Sequence, residues 1–183
     1  MGRYRKILVA VDGSPSARTA VTFLAANRIL GERPIEVLSV AQETDLSDRA
    51  PLTAISDLAH ESIAQQRRED REHAEAIAAG AAEMLRDDGY HARWSVSTGN
   101  AAHEIIEAAE SFGSGLIVMG SRGLTGLARI VLGSVARNVL LHTPASVLIV
   151  REPIRVRAPE RAKTAEPQLV SPPVSAAARS QRG

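Results

Sequence analysis

The sequence predicts an α/β fold: a single doubly wound, mostly parallel five-stranded sheet of the flavodoxin or Rossmann kind, in order 3-2-1-4-5, with helices on both faces. Three observations predict it. Short apolar runs alternate with helical patterns over the first 150 residues, as in βα units wound into a parallel sheet. Most of these runs are continuously apolar, as strands covered on both faces are. Two of them end unusually, in "VDGS" and "GSRG", and open α/β sheets bind ligands beyond the carboxyl ends of their strands, where the strand order reverses. If the first and fourth strands are neighbours, both loops open onto one crevice.

The elements follow in order. "RKILVAVDGS" is too short for a helix and ends at Asp12-Gly13, so it reads as a buried first strand. Ser14-Pro15 then supplies an N-cap and a proline at the first helical position. Ala17, Ala20, Val21 and Leu24 recur at helical spacing, with Gly31 as the closing C′ residue. Ile35 to Val40 is the second strand, and "AQETDLSDRAPLTA", with Pro51, is a loop. A charged helical pattern runs from about Ser56 to Asp88 and closes at Gly89. "YHARWSVS" alternates, with Tyr90, Ala92, Trp94 and Val96 on one face, and reads as the third strand. Asn100 caps a third helix, "AAHEIIEAAES"; "GLIVMG" is the fourth strand, "GSVARNVLLH" the fourth helix and "SVLIV" the fifth strand.

Past Arg151 the apolar period stops. The expected organisation is one folded α/β domain over residues 1–152 and a disordered tail over 153–183, rich in Pro, Ala and Arg. Of 22 Lys/Arg and 21 Asp/Glu, seven and three follow Val150, leaving 15 and 18 before it. The tail is therefore near +4 and the domain near −3, which speaks against a nucleic-acid partner. No cysteine is present, which excludes disulfides and thiolate metal sites and suits a reducing compartment. No run approaches the roughly 20 apolar residues of a membrane span. The expected location is cytoplasmic, with no membrane partner.

The chemistry concentrates in "VMGSRGLTGLARIVLGSVARNVL". Gly120 and Gly123 are separated by two residues, Gly123 and Gly133 by nine, and Ser134 follows at once. Glycines let a backbone approach a ligand closely, and the start of the following helix presents N–H groups without partners. The helix dipole adds about 0.3–1 kcal/mol for a favourable charge. Neither the dinucleotide fingerprint nor the Walker loop is present. The two lysines, Lys6 and Lys163, are not placed to grip a phosphate. An anion site must then rest on backbone N–H groups, the Ser134 hydroxyl and arginine. The bland alternative is that these glycines serve only turns and a helix start.

At these residues the chain resembles the universal stress protein family. The resemblance runs from Tyr4 to about Val150 through "ILVAVDGSPSA", "LIVMGSRG" and "LGSVARNVLLHTPASVLIV", and the signature G-x2-G-x9-G-[ST] is complete. The resemblance implies an ATP-binding member, with Mg or Mn held through the phosphates. It implies that Asp12, flanked by Val11 and Gly13, lies near the ribose and adenine, and that the backbone at Val40 reads the adenine edge. Met119 and Gly120 would lie against the nucleoside, Arg122 and Gly123 would face the phosphates, and Gly133, Ser134 and Val135 would bind them. Two positions depart from the family: Gly115 where an aspartate is frequent, and Ala145 where a cysteine is common. Neither belongs to the phosphate loop.

The remaining candidates have plainer readings. His60, His73, His91, His103 and His142 show no metal-ligand pairing and read as surface or helix-end residues. Arg67 to Glu75 reads as a solvated helix face. Trp94 reads as core, and Ser14 as a cap, because no group is positioned to activate it. The leading function is an ATP-binding regulatory protein of the stress-response type, without catalytic residues. Slow ATP hydrolysis and a nucleotide-independent adaptor are the alternatives. Ser146–Val150 is an apolar edge strand in the expected order, which implies a homodimer through that edge.

Overall fold

The computed structural model describes residues 6–27, 31, 33–42, 57–123 and 132–151, with residues 57–60 as backbone only. Most of the expected loop with Pro51, the chain between Asn27 and Gly31, and the whole of the expected tail lie outside the described residues. The elements are β1 (Ile7–Val11), α1 (Pro15–Asn27), β2 (Ile35–Ala41), α2 (Asp57–Asp87), β3 (Ala92–Thr98), α3 (Ala101–Phe112), β4 (Leu116–Gly120), α4 (Ser134–His142) and β5 (Ser146–Val150). The sheet runs β3-β2-β1-β4-β5. Every described strand pair is parallel, so the expectation of a mostly parallel sheet understates it.

The central strands explain their own continuous apolarity. All five residues of β1 and of β4 are buried, because helices cover both faces. On one face Ile7, Val9, Val37 and Val118 meet Ala17, Ala20 and Leu24 of α1 and Ala78, Ala82 and Leu85 of α2. On the other face Leu8, Leu38, Ile117 and Met119 meet Ala102, Ile105 and Ala109 of α3 and Ala136 and Val139 of α4. Tyr90 brings its hydroxyl into the first cluster by donating to Leu24 O at 2.8 Å.

Trp94 departs from expectation. It shares the strand face of Ala92, as the alternation predicts, but it is 42% exposed rather than core. The stripe that α2 lays on the sheet is Ala74, Ala78 and Ala82, ending in Leu85. Alanines bring a helix close to a sheet, which leaves no space for an indole beneath it. β3 is also an edge strand, so the ring lies open on its outer side.

The amino-terminal end of the sheet carries a charged network. Glu36, only 9% exposed, accepts from Arg93 Nη2 and Ser95 Oγ, both at 2.8 Å. The Arg93 guanidinium lies 4.6 Å, and the Lys6 ammonium 4.7 Å, from the centre of the Phe112 ring. Lys6 Nζ also donates to Phe112 O at 2.8 Å. This spends Lys6 on the end of α3, at the end of β1 away from "VDGS".

Candidate functional site at the carboxyl ends of β1 and β4

β1 and β4 are direct neighbours, with Ala10 opposite Met119, so the two unusual strand ends meet. Helices leave them for opposite faces: α1 packs in the first cluster and α4 in the second. This is the reversal point at which an open sheet forms a crevice.

The loop after β1 is held by its own side chains. Asp12 Oδ1 accepts from Ser14 N at 3.0 Å, an Asx-turn. Ser14, 1% exposed, caps α1: its Oγ accepts from Ala17 N at 3.1 Å. Gly13 has φ +76°, and a Cβ there would lie 2.9 Å from Ile77 Cδ1 of α2. The left-handed turn and the close helix together require glycine.

The three signature glycines do different work. A Cβ on Gly120 would lie 2.6 Å from the Ser16 carbonyl carbon and 2.8 Å from Ala17 N. The space that Gly120 leaves is thus filled by the start of α1. On Gly123 a Cβ would meet Asp12 Oδ2 at 2.9 Å, so the second glycine makes room for the first loop's carboxylate. At Gly133 it would meet Arg122 Cα and Ser121 O, both at 3.4 Å. Gly133 N donates to Ser121 O at 2.9 Å. Its own N–H is therefore spent on holding α4 against the β4 loop.

The helix starts differ in a way that bears on an anion. Asn100 Oδ1 accepts from Ala102 N and His103 N at the start of α3, and Glu104 stands in that first turn. α1 has its Ser14 cap. α4 begins at Gly133 with no side-chain cap and no acidic residue in its first turn. Its first intrahelical bond is Arg137 N to Gly133 O, 2.9 Å. The preceding amides of Ser134, Val135 and Ala136 thus have no partner within the helix. A negative group is favoured there by both the amides and the dipole.

Beside this start lies an apolar surface. Met119 is buried in the second cluster, and Val40, Leu132 and Val135 pack partly buried against it. Val40 stands one residue past Ser39, which pairs with Val11 at the end of the β1–β2 register. The structure therefore brings Val11, Asp12, Gly13, Met119, Gly120, Arg122, Gly123, Gly133, Ser134 and Val135 to one end of the sheet, with Val40 on the adjacent strand.

Two serines, Ser16 and Ser121, escaped the sequence reading. Ser16 Oγ accepts from Arg122 N at 3.3 Å, and Ser14 Oγ reaches Arg122 O at 3.4 Å. Ser121, 5% exposed, donates its N–H to Val150 O at 3.0 Å. The signal available for Ser16 was a small polar residue in the first turn of a helix that starts at the crevice. Of the histidines, His73, His91, His103 and His142 are exposed. His103 meets Glu107 at 3.3 Å, one turn away.

A family model described as "Universal stress protein family" matches residues 3–151. Universal stress protein YxiE of Bacillus subtilis is 35% identical over 150 residues, covering 81% of this chain and 99% of the relative. The solved structure of MJ0577 superposes with a TM-score of 0.69 at 28% identity, covering 82% of this chain and 98% of that one. MJ0577 is a universal stress protein of Methanocaldococcus jannaschii. A universal stress protein of Archaeoglobus fulgidus solved in complex with dAMP shares the fold, with a TM-score of 0.54 at 21% identity, covering 80% of this chain and 97% of that one.

Proposed function

This chain belongs to the universal stress protein family, and from that premise we propose that it binds ATP in the crevice between β1 and β4 as a nucleotide-dependent regulatory module of the stress response. The observation that supports the reading most is the uncapped start of α4, set beside the glycine-lined end of β4. Amides without helical partners, no competing carboxylate in that turn and the Ser134 hydroxyl suit a phosphate chain. Val40, Met119 and Val135 offer the base an apolar bed. Asp12 Oδ1 is held by Ser14 N, which fixes the carboxylate for a ribose hydroxyl. The dAMP bound to the Archaeoglobus protein is that protein's ligand; the adenine reading here rests on the family resemblance, and this chain's own residues support the phosphate site.

Gly123 carries no side chain and faces the Asp12 carboxylate, which a Cβ would meet at 2.9 Å, so its bare backbone is open to the close approach of a phosphate chain. Mg or Mn would be held through those phosphates and would neutralise part of their charge. Phosphoryl transfer needs a group that positions water as well as a clamp. Arg122 and the α4 start supply a clamp, but Asp12 is engaged in its turn. Turnover is therefore expected to be slow, with binding as the working state. Binding would favour one conformation or assembly, which partners then read.

The proposed assembly is a homodimer through β5. In the described sheet that strand pairs on one side only, and α4 exposes Leu140 by 49% and Leu141 by 63% just before it in the chain. Antiparallel pairing of two such edges across a two-fold axis closes the assembly. A cytoplasmic setting suits a chain without cysteine. Among the described residues no helix is long and apolar enough to cross a membrane.

The test is calorimetry with ATP and GTP, each with and without Mg. ATP is expected to bind more tightly, and the bound nucleotide released from heat-denatured protein should run as ATP. Absence of heat with any nucleotide at millimolar concentration would leave the adaptor reading in its place. Light scattering is expected to give the mass of two chains.

A further inference from the structure

The sheet has a second open edge, at β3. The β2–β3 register, with Ile35 N bonded to His91 O at 2.9 Å and Gly99 N to Ala41 O at 3.1 Å, turns the main chain of residues 91, 93, 95, 97 and 99 toward β2. The N–H and C=O groups of Trp94, Val96 and Thr98 therefore face outward. Among the described residues no strand pairs with that side. Edges are usually blunted by proline, lysine or an inward charge. β3 has no proline and no lysine, and its one charge, Arg93, is drawn to Glu36.

Two further observations give this edge a character. Trp94, the chain's single tryptophan, is 42% exposed on it. At its amino end a cleft of about 410 Å³ opens, lined among others by Arg86, His91, Arg93 and Phe112, with no acidic side chain in its wall. Arg86 Nε donates to Ala92 O at 2.7 Å, the outward carbonyl just before the open stretch. The guanidinium thus stands in the path that an added strand would follow.

We infer that the β3 edge is a docking site for an extended, acidic segment of a partner protein, which adds to the sheet beside Trp94–Thr98 and places a carboxylate against Arg86. Main-chain pairing supplies the affinity common to strand addition, and side-chain pockets set the choice of partner. Here the cationic cleft sets the charge and the indole gives an apolar rest. A second copy of β3 does not meet this demand, because Ala92–Thr98 contains no carboxylate. The inference goes beyond nucleotide binding and does not depend on it.

A single tryptophan makes the test direct, since the emission of the full-length chain reports on this edge. The probes are an eight-residue peptide alternating Glu and Val and its Lys-Val counterpart, with amide hydrogen exchange followed in the same samples. The Glu peptide is expected to move the emission to shorter wavelength and to slow exchange at Trp94, Val96 and Thr98 at least tenfold. The Lys peptide is expected to do neither. Arg86→Glu, at an exposed helix position, is expected to weaken the Glu peptide at least tenfold. Thr98→Pro removes one outward N–H at an exposed edge position where proline is tolerated, and is expected to weaken it severalfold. An unchanged emission with millimolar Glu peptide, equal responses to the two peptides, protection confined to β5, or full binding by the Thr98→Pro protein would each overturn the inference.

Discussion

Asp12 and Gly123, 111 positions apart in the chain, share one small space: a Cβ on Gly123 would lie 2.9 Å from Asp12 Oδ2. The carboxylate of the first loop and the bare backbone of the second thus form a single element of the crevice. Asp12 cannot swing freely, because its other oxygen holds Ser14 N.

Gly123→Ala tests that relationship. Gly123 is not among the glycines with positive φ, so alanine fits the backbone and acts by displacing the carboxylate. The expected outcome is an ATP affinity at least tenfold weaker, about 1.4 kcal/mol, with a melting temperature close to that of the parent. Calorimetry and a thermal scan on the same preparation read both.

Ser134→Glu is expected to move stability and binding in opposite directions. A carboxylate in the first turn of α4 complements amides and a dipole that nothing there now caps. The nucleotide-free protein should gain about 0.3–1 kcal/mol, while ATP loses its place to the new charge. A mutant that binds ATP unchanged would show that the phosphates lie elsewhere.

Gly120→Ala, by contrast, should damage the fold. Its Cβ would stand 2.6 Å from the Ser16 carbonyl carbon and 2.8 Å from Ala17 N, backbone atoms that cannot step aside cheaply. Overpacking of this kind costs about 1–3 kcal/mol. Urea unfolding should show the midpoint falling without a change of slope.

Asn100→Ala removes the cap of α3, whose Oδ1 accepts from Ala102 N and His103 N. The expected loss is about 1 kcal/mol, measured by urea unfolding. Nucleotide affinity should stay within about twofold, because α3 begins after β3, two strands from β1 and three from β4.

Much of this was readable from residues alone. Short buried runs between helical patterns give the element order, and Ser14 and Asn100 announce their helices because cap chemistry is local. What escaped was non-local. Gly120 and Gly123 look alike in the signature, yet one gives way to α1 and the other to Asp12, and only the packed loops distinguish them. Trp94 follows a buried alternation, but its exposure depends on how closely the alanines of α2 let that helix approach. Ser16 gained its place from Arg122, more than a hundred residues on.

The all-parallel sheet also has a consequence for the order of synthesis. Among the described residues no strand pairs with the next one through a hairpin, and β1 waits for a neighbour made more than a hundred residues later, as Ile7 faces Leu116. A chain emerging from the ribosome would hold β1 against β2 alone, with one flank bare, until β4 appears. Pairings so distant in sequence form slowly. The crevice is finished later still, because the start of α4 at Ser134 closes it. A nascent chain would therefore hold the proposed nucleotide only once α4 has been made, and that nucleotide would stabilise the completed domain without rescuing the partly made one.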